Sequence, residues 1–215
     1  MENLQDKFRH RGLQIIAKLS SIELTPETPD YPGGNWHLEG MCNEHIVATS
    51  IYYCDVDNIS ESRLRFRQEA SLDKAGLAYE QDDHDPLAVI FGCETMRSEP
   101  AVQEIGSVVT CEGRLIAFPN TLQHRLDPFT LIDKTRPGHR RVLVLWLVDP
   151  HYRIASTANV PPQQPDWCAE PSAEVVAGQM SLEEAKAYRL ELMKERTVFA
   201  TTVENNFDTY HLCEH

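Results

Sequence analysis

The sequence predicts a mainly β fold, a sandwich or barrel, with one C-terminal helix. Three observations carry this. β-branched and aromatic runs recur as short segments, Gly- and Pro-rich breaks separate them, and one late stretch shows helical capping and an apolar side.

Taken in order, residues 13–19 (LQIIAKL) form a β-branched run, residues 22–25 continue extended, and residues 25–34 break it with prolines and glycines. Residues 46–53 (IVATSIYY) predict a second strand, and residues 64–68 a short alternating one. Residues 108–111 and 114–118 flank Glu112-Gly113 and predict a hairpin. Residues 141–148 (RVLVLWLV) are apolar on both faces, as a central covered strand requires. Residues 181–196 predict a helix: Ser181 and Glu184 fit a capping box, and Leu182, Ala185, Leu190, Leu192 and Met193 supply an apolar side. Residues 73–86 are acidic and aperiodic, a surface loop; residues 159–171 are proline-rich and extended. The expected organisation is one domain over residues 1–215, with 172–215 as a helical annex.

Composition narrows the function classes. At 215 residues and 41% hydrophobic content, the chain can bury a real core. It has no apolar run of about 18 residues, so no membrane span is expected. Its first residues, MENLQDKFRHRG, are polar and unlike a signal peptide. Six cysteines without paired spacing read as reduced thiols, which places the protein in the cytoplasm or nucleus and makes the sequon Asn58-Ile59-Ser60 incidental. A net charge of -13 repels phosphate backbones, so no nucleic-acid partner is expected. Arg63, Arg65 and Arg67 share one strand face, read as the solvated face of an edge strand.

The chemistry concentrates in GGNWHLEGMCNEH, residues 33–45. If residues 36–39 are extended, His37 and Glu39 point to the same face. An imidazole and a carboxylate projecting together are two members of the two-histidine, one-carboxylate triad that suits Fe(II), because it leaves coordination positions open. Taken alone, H-x-E is common. Residues 113–120 (GRLIAFPN) then read as a strand ending in a turn, and His124 follows where the next strand opens. Further on, Arg140 begins an otherwise apolar strand, a place where a guanidinium needs an anion.

The order H-x-E, G-x-L-x-x-F-P-N with a histidine shortly after, then G-x-R with Trp146 six residues past the arginine, resembles Fe(II)/2-oxoglutarate-dependent dioxygenases of the prolyl-hydroxylase type. Nearly the whole chain, from about residue 13 onward, also resembles a largely fungal family known only as a domain of unknown function, through LQIIAKL, TPETPDYPGGNWHLEGMCNEHIVATSIYY, RLRFRQ, the long stretch from Gly113 to Pro150, STANVPPQQ and LCEH. Members of that family usually carry a helical N-terminal region, which is not seen here.

The resemblance implies a double-stranded β-helix (a jelly-roll or cupin-like barrel). It implies Fe(II) held by His37, Glu39 and His124, and 2-oxoglutarate anchored through its distal carboxylate by Arg140. The activity implied is oxidation of a C–H bond in an unidentified small-molecule or peptide substrate. Two departures stand out: the carboxylate is Glu where many relatives have Asp, and Val142 replaces a common hydroxyl-bearing contact. Lys18 and Tyr52 are the residues weighed as compensation. Asn43, Asn120 and Gln123 are candidates to support the ligands.

Other constellations are weaker. Cys42, His45, Cys213 and His215 match a Cys2His2 zinc site by type but not by compact spacing. Asp82-Asp83-His84-Asp85 reads as a solvated loop. Two further function classes stay open: a cupin-like metalloenzyme without 2-oxoglutarate, and a non-catalytic β-barrel binding module.

Overall fold

A computed structural model describes residues 4–70, 85–91, 97–160, 180–205 and 209–211. The strands are β1 (Ile15–Leu24), β2 (Asp30–Tyr31), β3 (Ile46–Asp57), β4 (Arg63–Glu69), β5 (Arg97–Pro100), β6 (Val102–Val109), β7 (Leu115–Pro119), β8 (Gln123–Leu126), β9 (Phe129–Thr130), β10 (Gly138–Val148) and β11 (Thr209–His211). The helices are α1 (Leu4–Phe8), α2 (Asp85–Phe91) and α3 (Leu182–Asn205).

The larger sheet has the order β1-β10-β3-β7, all antiparallel. β10 is central, as its two-sided apolar run requires. A three-stranded sheet, β6-β4-β8, supplies the opposing layer, and β2-β9 and β11-β5 form two short ladders. Ile51 and Tyr53 of β3, Val144 of β10 and Phe118 of β7 pack with Leu64 and Phe66 of β4, so the core lies between the two sheets. A second cluster, Leu24, Ile59, Phe129 and Leu131, seals one end. The described residues form open sheets and no closed barrel.

The expected hairpin across Glu112-Gly113 is corrected. The turn exists, but β6 pairs with β4 and β7 pairs with β3, so the turn carries the chain from one sheet to the other. Backbone bonds fix the crossing: Gly113 N–H donates to Tyr53 O, and Tyr53 N–H donates to Arg114 O. β6 is also longer than its apolar end suggests. It carries a bulge at Gly106, whose φ of +127° an L side chain rarely adopts.

The arginine row does share one face, yet β4 is a central strand rather than an edge. The outward arginines are held by neighbouring strands: Arg63 Nε donates to Ser107 Oγ, Arg65 Nε to Asp127 Oδ1 and Arg67 Nε to Gln123 Oε1. Paired in this way, a charged row does not require an edge.

α3 begins with the anticipated cap: Ser181 N–H donates to Glu184 Oε2 and Glu184 N–H to Ser181 Oγ. It runs nine residues beyond the predicted end, and Leu182, Leu190, Leu192 and Met193 are exposed rather than packed. No described helix is long and apolar enough to cross a membrane. Cys42, Cys54 and Cys111 are exposed and unpaired. Most of the acidic stretch 73–86, nearly all of the proline-rich stretch 159–171, and Cys93, Cys168, Cys213 and His215 lie outside the described residues.

Gly138 marks how closely β10 approaches β3. A Cβ there would sit 2.7 Å from Asn58 O, 2.9 Å from Asp57 O and 2.7 Å from Leu131 Cδ2. Two of those atoms are backbone and cannot rotate away. Gly138→Ala is therefore expected to destabilise the protein by about 1–3 kcal/mol, read as a lowered urea midpoint. An unchanged midpoint would contradict this register.

Candidate metal centre

Residues 34–37 run antiparallel to β8. Gly34 N–H donates to Leu126 O, while His37 and His124 exchange backbone bonds at 3.2 and 3.1 Å. Two residues that exchange both bonds sit directly opposite with their side chains on one face. The imidazoles are accordingly adjacent, with centroids 4.3 Å apart and planes at 50°. Glu39, two residues on, returns to the same face: its Oε1 is 3.3 Å from His124 Nε2 and 3.9 Å from His37 Nε2.

Asn120 holds that return in place. Its Nδ2 donates to Glu39 O and Ile46 O, and its Oδ1 accepts from Glu39 N–H. The β7–β8 turn thus clamps the backbone on which the carboxylate stands. Asn120→Ala is expected to lower divalent-metal affinity about 10- to 100-fold, measured by calorimetry, with little change in helix or sheet content. Full affinity in that variant would show that the clamp does not position Glu39.

His37 Nδ1 lies 2.8 Å from Asn35 O; donating there leaves the Nε2 lone pair facing Glu39. His124 is almost fully buried under the Phe118 ring, 4.8 Å away, and its Nδ1 has no partner. Burial pushes His37 below its usual pKa, and the charges of His124 and Lys18 add to this. For Glu39, burial is the largest single influence and raises its pKa. The hydrogen bond and charge of His124, the charge of His37 and the nearby Trp146 indole outweigh it, so the carboxyl falls below its usual range. The indole Nε1 points there without closing a hydrogen bond of its own. The ligand atoms of the two imidazoles and the carboxylate all lie within 4.8 Å of one another. This donor set fits a divalent transition metal with open positions.

A cavity of about 510 Å³ opens onto His37 and Glu39. Lys18 and Trp146 line it from the large sheet, and Arg196, Phe199 and Val203 of α3 form another part of its wall. Arg196 reaches across to Glu44 at 2.6 Å. A wall from α3 is not foreseen in the sequence, since Phe199 and Val203 lie beyond the predicted helix end and Arg196 is its last residue. Trp36, also lining the cavity, is stacked by Arg67 at 4.6 Å and Arg125 at 4.7 Å.

Arg140 faces inward and Arg141 outward, where Arg141 pairs with Glu23 and Asp55. Arg140 is 6% exposed and is the only buried Arg or Lys among the described residues. Its Cζ sits 4.7 Å over the Tyr53 ring, and Arg140 Nε and Tyr53 Oη have no hydrogen-bond partner among the described residues. Burial pushes the guanidinium below its usual pKa, with the Tyr53 and Tyr31 phenols opposing. It does not line the cavity at His37. Arg140 and Trp146 stand six positions apart on β10.

Of the supporting residues expected, Asn120 serves the Glu39 backbone rather than an imidazole, and Gln123 is buried and engaged by Arg67. The imidazole partner found, Asn35 O, is a backbone group with no side-chain signature.

No curated protein matches the chain significantly. Among solved structures, hydroquinone 1,2-dioxygenase PnpCD in complex with Cd2+ and 4-hydroxybenzonitrile is similar at 17% identity, covering 64% of this chain and 61% of that one, with a TM-score of 0.27. A protein from Bacillus endospore appendages, which form disulfide-linked pili, is similar at 9% identity, covering 64% and 92%, with a TM-score of 0.23. Likenesses this loose bear on neither fold nor chemistry. Residues 1–171 match the family model described as protein of unknown function (DUF4246), a match over most of the chain, and the protein belongs to that family.

Proposed function

We propose that the protein is a non-haem Fe(II)- and 2-oxoglutarate-dependent oxygenase on a double-stranded β-helix frame, oxidising a C–H bond of a small-molecule or peptide substrate. The observation that carries this reading is the convergence of His37, Glu39 and His124 on one point beside a cavity. When bound, Fe(II) with 2-oxoglutarate and oxygen supplies the oxidising power, and the co-substrate leaves as succinate and carbon dioxide.

The chain supplies the rest. His37 and His124 offer ring nitrogens, and Glu39 offers the charge that offsets part of the cation's. Asn35 O and Asn120 hold the first and third of these in register. Phe118 and Phe66 keep water from the His124 side. Arg140 is assigned to the distal carboxylate of 2-oxoglutarate, because it is a buried cation with no anion beside it among the described residues. The test is succinate formation from 2-oxoglutarate by the Fe(II)-loaded protein, with His37→Ala as the control. No succinate above that control would sink the reading.

One observation favours a second reading, a cupin-like metalloenzyme without 2-oxoglutarate: Arg140 does not line the cavity next to the ligands. Metal binding with no 2-oxoglutarate binding would select it.

The lowered His37 pKa sets a pH dependence. Above the ordinary histidine value of about 6.5, His37 is neutral in both folded and unfolded chains, and its contribution is fully present. Below that value the unfolded chain takes up the proton first, so stability declines as pH falls through the lower folded pKa. Metal affinity, followed by calorimetry, is expected to stay level from pH 8 to about 6.5 and to fall only in more acid solution. A fall beginning above neutrality would contradict the lowered pKa of His37.

A further inference from the structure

The walls of the cavity divide by chemistry. One part is apolar, made by Ile16 and Trp146 from the large sheet and by Phe199, Ala200 and Val203 from α3. Most of its polar groups are already engaged. Glu39 belongs to the ligand cluster, Glu44 and Arg196 neutralise each other at 2.6 Å, and the Gln123 oxygen accepts from Arg67 Nε. Lys18 is different.

Lys18 stands on the inward row of β1, between Ile16 and Ser20 and opposite Val144. Its side chain is exposed at the cavity, with Nζ 5.9 Å from the Trp146 ring centroid. Among the described residues it has no carboxylate partner. In a chain of net charge -13, an unpaired ammonium on an inward strand row, beside the most reactive groups of the molecule, asks for an anion. A single lysine supplies one compact positive charge, and the neighbouring Glu39 repels a second negative one. That balance suits a monocarboxylate better than a phosphate. The volume suits a small organic molecule, and the apolar wall suits a hydrocarbon body.

We propose that the substrate of this cavity is an apolar monocarboxylic acid, its carboxylate paired with Lys18 and its body laid against Ile16, Trp146 and α3. The oxidation of that acid rests on the oxygenase reading; its binding does not.

The test uses hexanoate and hexanamide, which differ in charge but hardly in shape. Binding to the full chain is followed by quenching of Trp36 and Trp146 and by calorimetry, with and without Zn(II). Hexanoate is expected to bind at least about tenfold more tightly than hexanamide. That preference should vanish in Lys18→Gln and survive in Lys18→Arg, with circular dichroism showing both variants folded. Equal binding of the two probes, or an unchanged preference in Lys18→Gln, overturns the proposal. So does loss of 2-oxoglutarate binding in Lys18→Gln but not in Arg140→Gln, because the carboxylate at Lys18 would then belong to the co-substrate. A preference that persists in a protein unable to bind metal keeps Lys18 and removes the oxygenase; metal binding without any preference does the reverse.

Discussion

Glu39→Gln is expected to lower affinity for a divalent first-row metal by more than the roughly 10- to 100-fold that loss of a supporting partner costs. The amide keeps the shape of the side chain and removes the charge that both imidazoles lean on. Glu39 Oε1 is the atom both histidine Nε2 atoms face, at 3.3 and 3.9 Å, so its loss breaks the set at its centre. His37→Ala should match the effect while leaving the fold intact, because His37 sits at the mouth of the cavity and is half-exposed. His124→Ala is the less clean probe: that ring is packed under Phe118, and truncation would open a hole in the core as well. Calorimetric titration with Mn(II) or Zn(II) reads the difference. Wild-type affinity in Glu39→Gln would remove the carboxylate from the centre.

Arg140→Met is expected to move stability and binding in opposite directions. A guanidinium buried with no carboxylate partner among the described residues carries a desolvation cost of several kcal/mol, and a thioether of similar length does not. The stacking on Tyr53 at 4.7 Å recovers only about 0.5–2 kcal/mol of this. The variant should therefore unfold at higher urea than the wild type. Its affinity for 2-oxoglutarate should fall about 10- to 100-fold, the worth of charge-assisted hydrogen bonds near 1.5–3 kcal/mol. A stabilised variant that still binds 2-oxoglutarate would show that Arg140 is a structural remnant; a destabilised one would show that it has a partner in the folded protein.

The shared face of His37 and Glu39 was legible from strand alternation, a local property, whereas His124 joined them only through the order of motifs that resembles the dioxygenases. β-branched, alternating and two-sided apolar runs located β3, β4 and β10 to within a few residues, and the capping box located the start of α3. The partnership of strands was not legible. Glu112-Gly113 has the composition of a hairpin, but the choice between pairing β7 with β6 or with β3 is made by backbone bonds to Tyr53, far away in sequence. The arginine row of β4 misled for a related reason: Ser107 on β6, Gln123 on β8 and Asp127 just past β8, which satisfy it, are neighbours that the sequence does not announce. The cavity wall from α3 was hidden because Phe199, Ala200 and Val203 lie past the point where the apolar periodicity fades. Lys18 was visible only as a possible auxiliary; its inward row and lack of a carboxylate partner became apparent once β1 was seen to pair with β10.

An oxygenase of this kind is tested most directly by anaerobic titration of the Fe(II)-loaded protein with 2-oxoglutarate, followed in the visible region. The expected result is a weak metal-to-ligand charge-transfer band that saturates with added 2-oxoglutarate and is absent in His37→Ala. A protein that binds Fe(II) but shows no such band at saturating 2-oxoglutarate would contradict the proposed function.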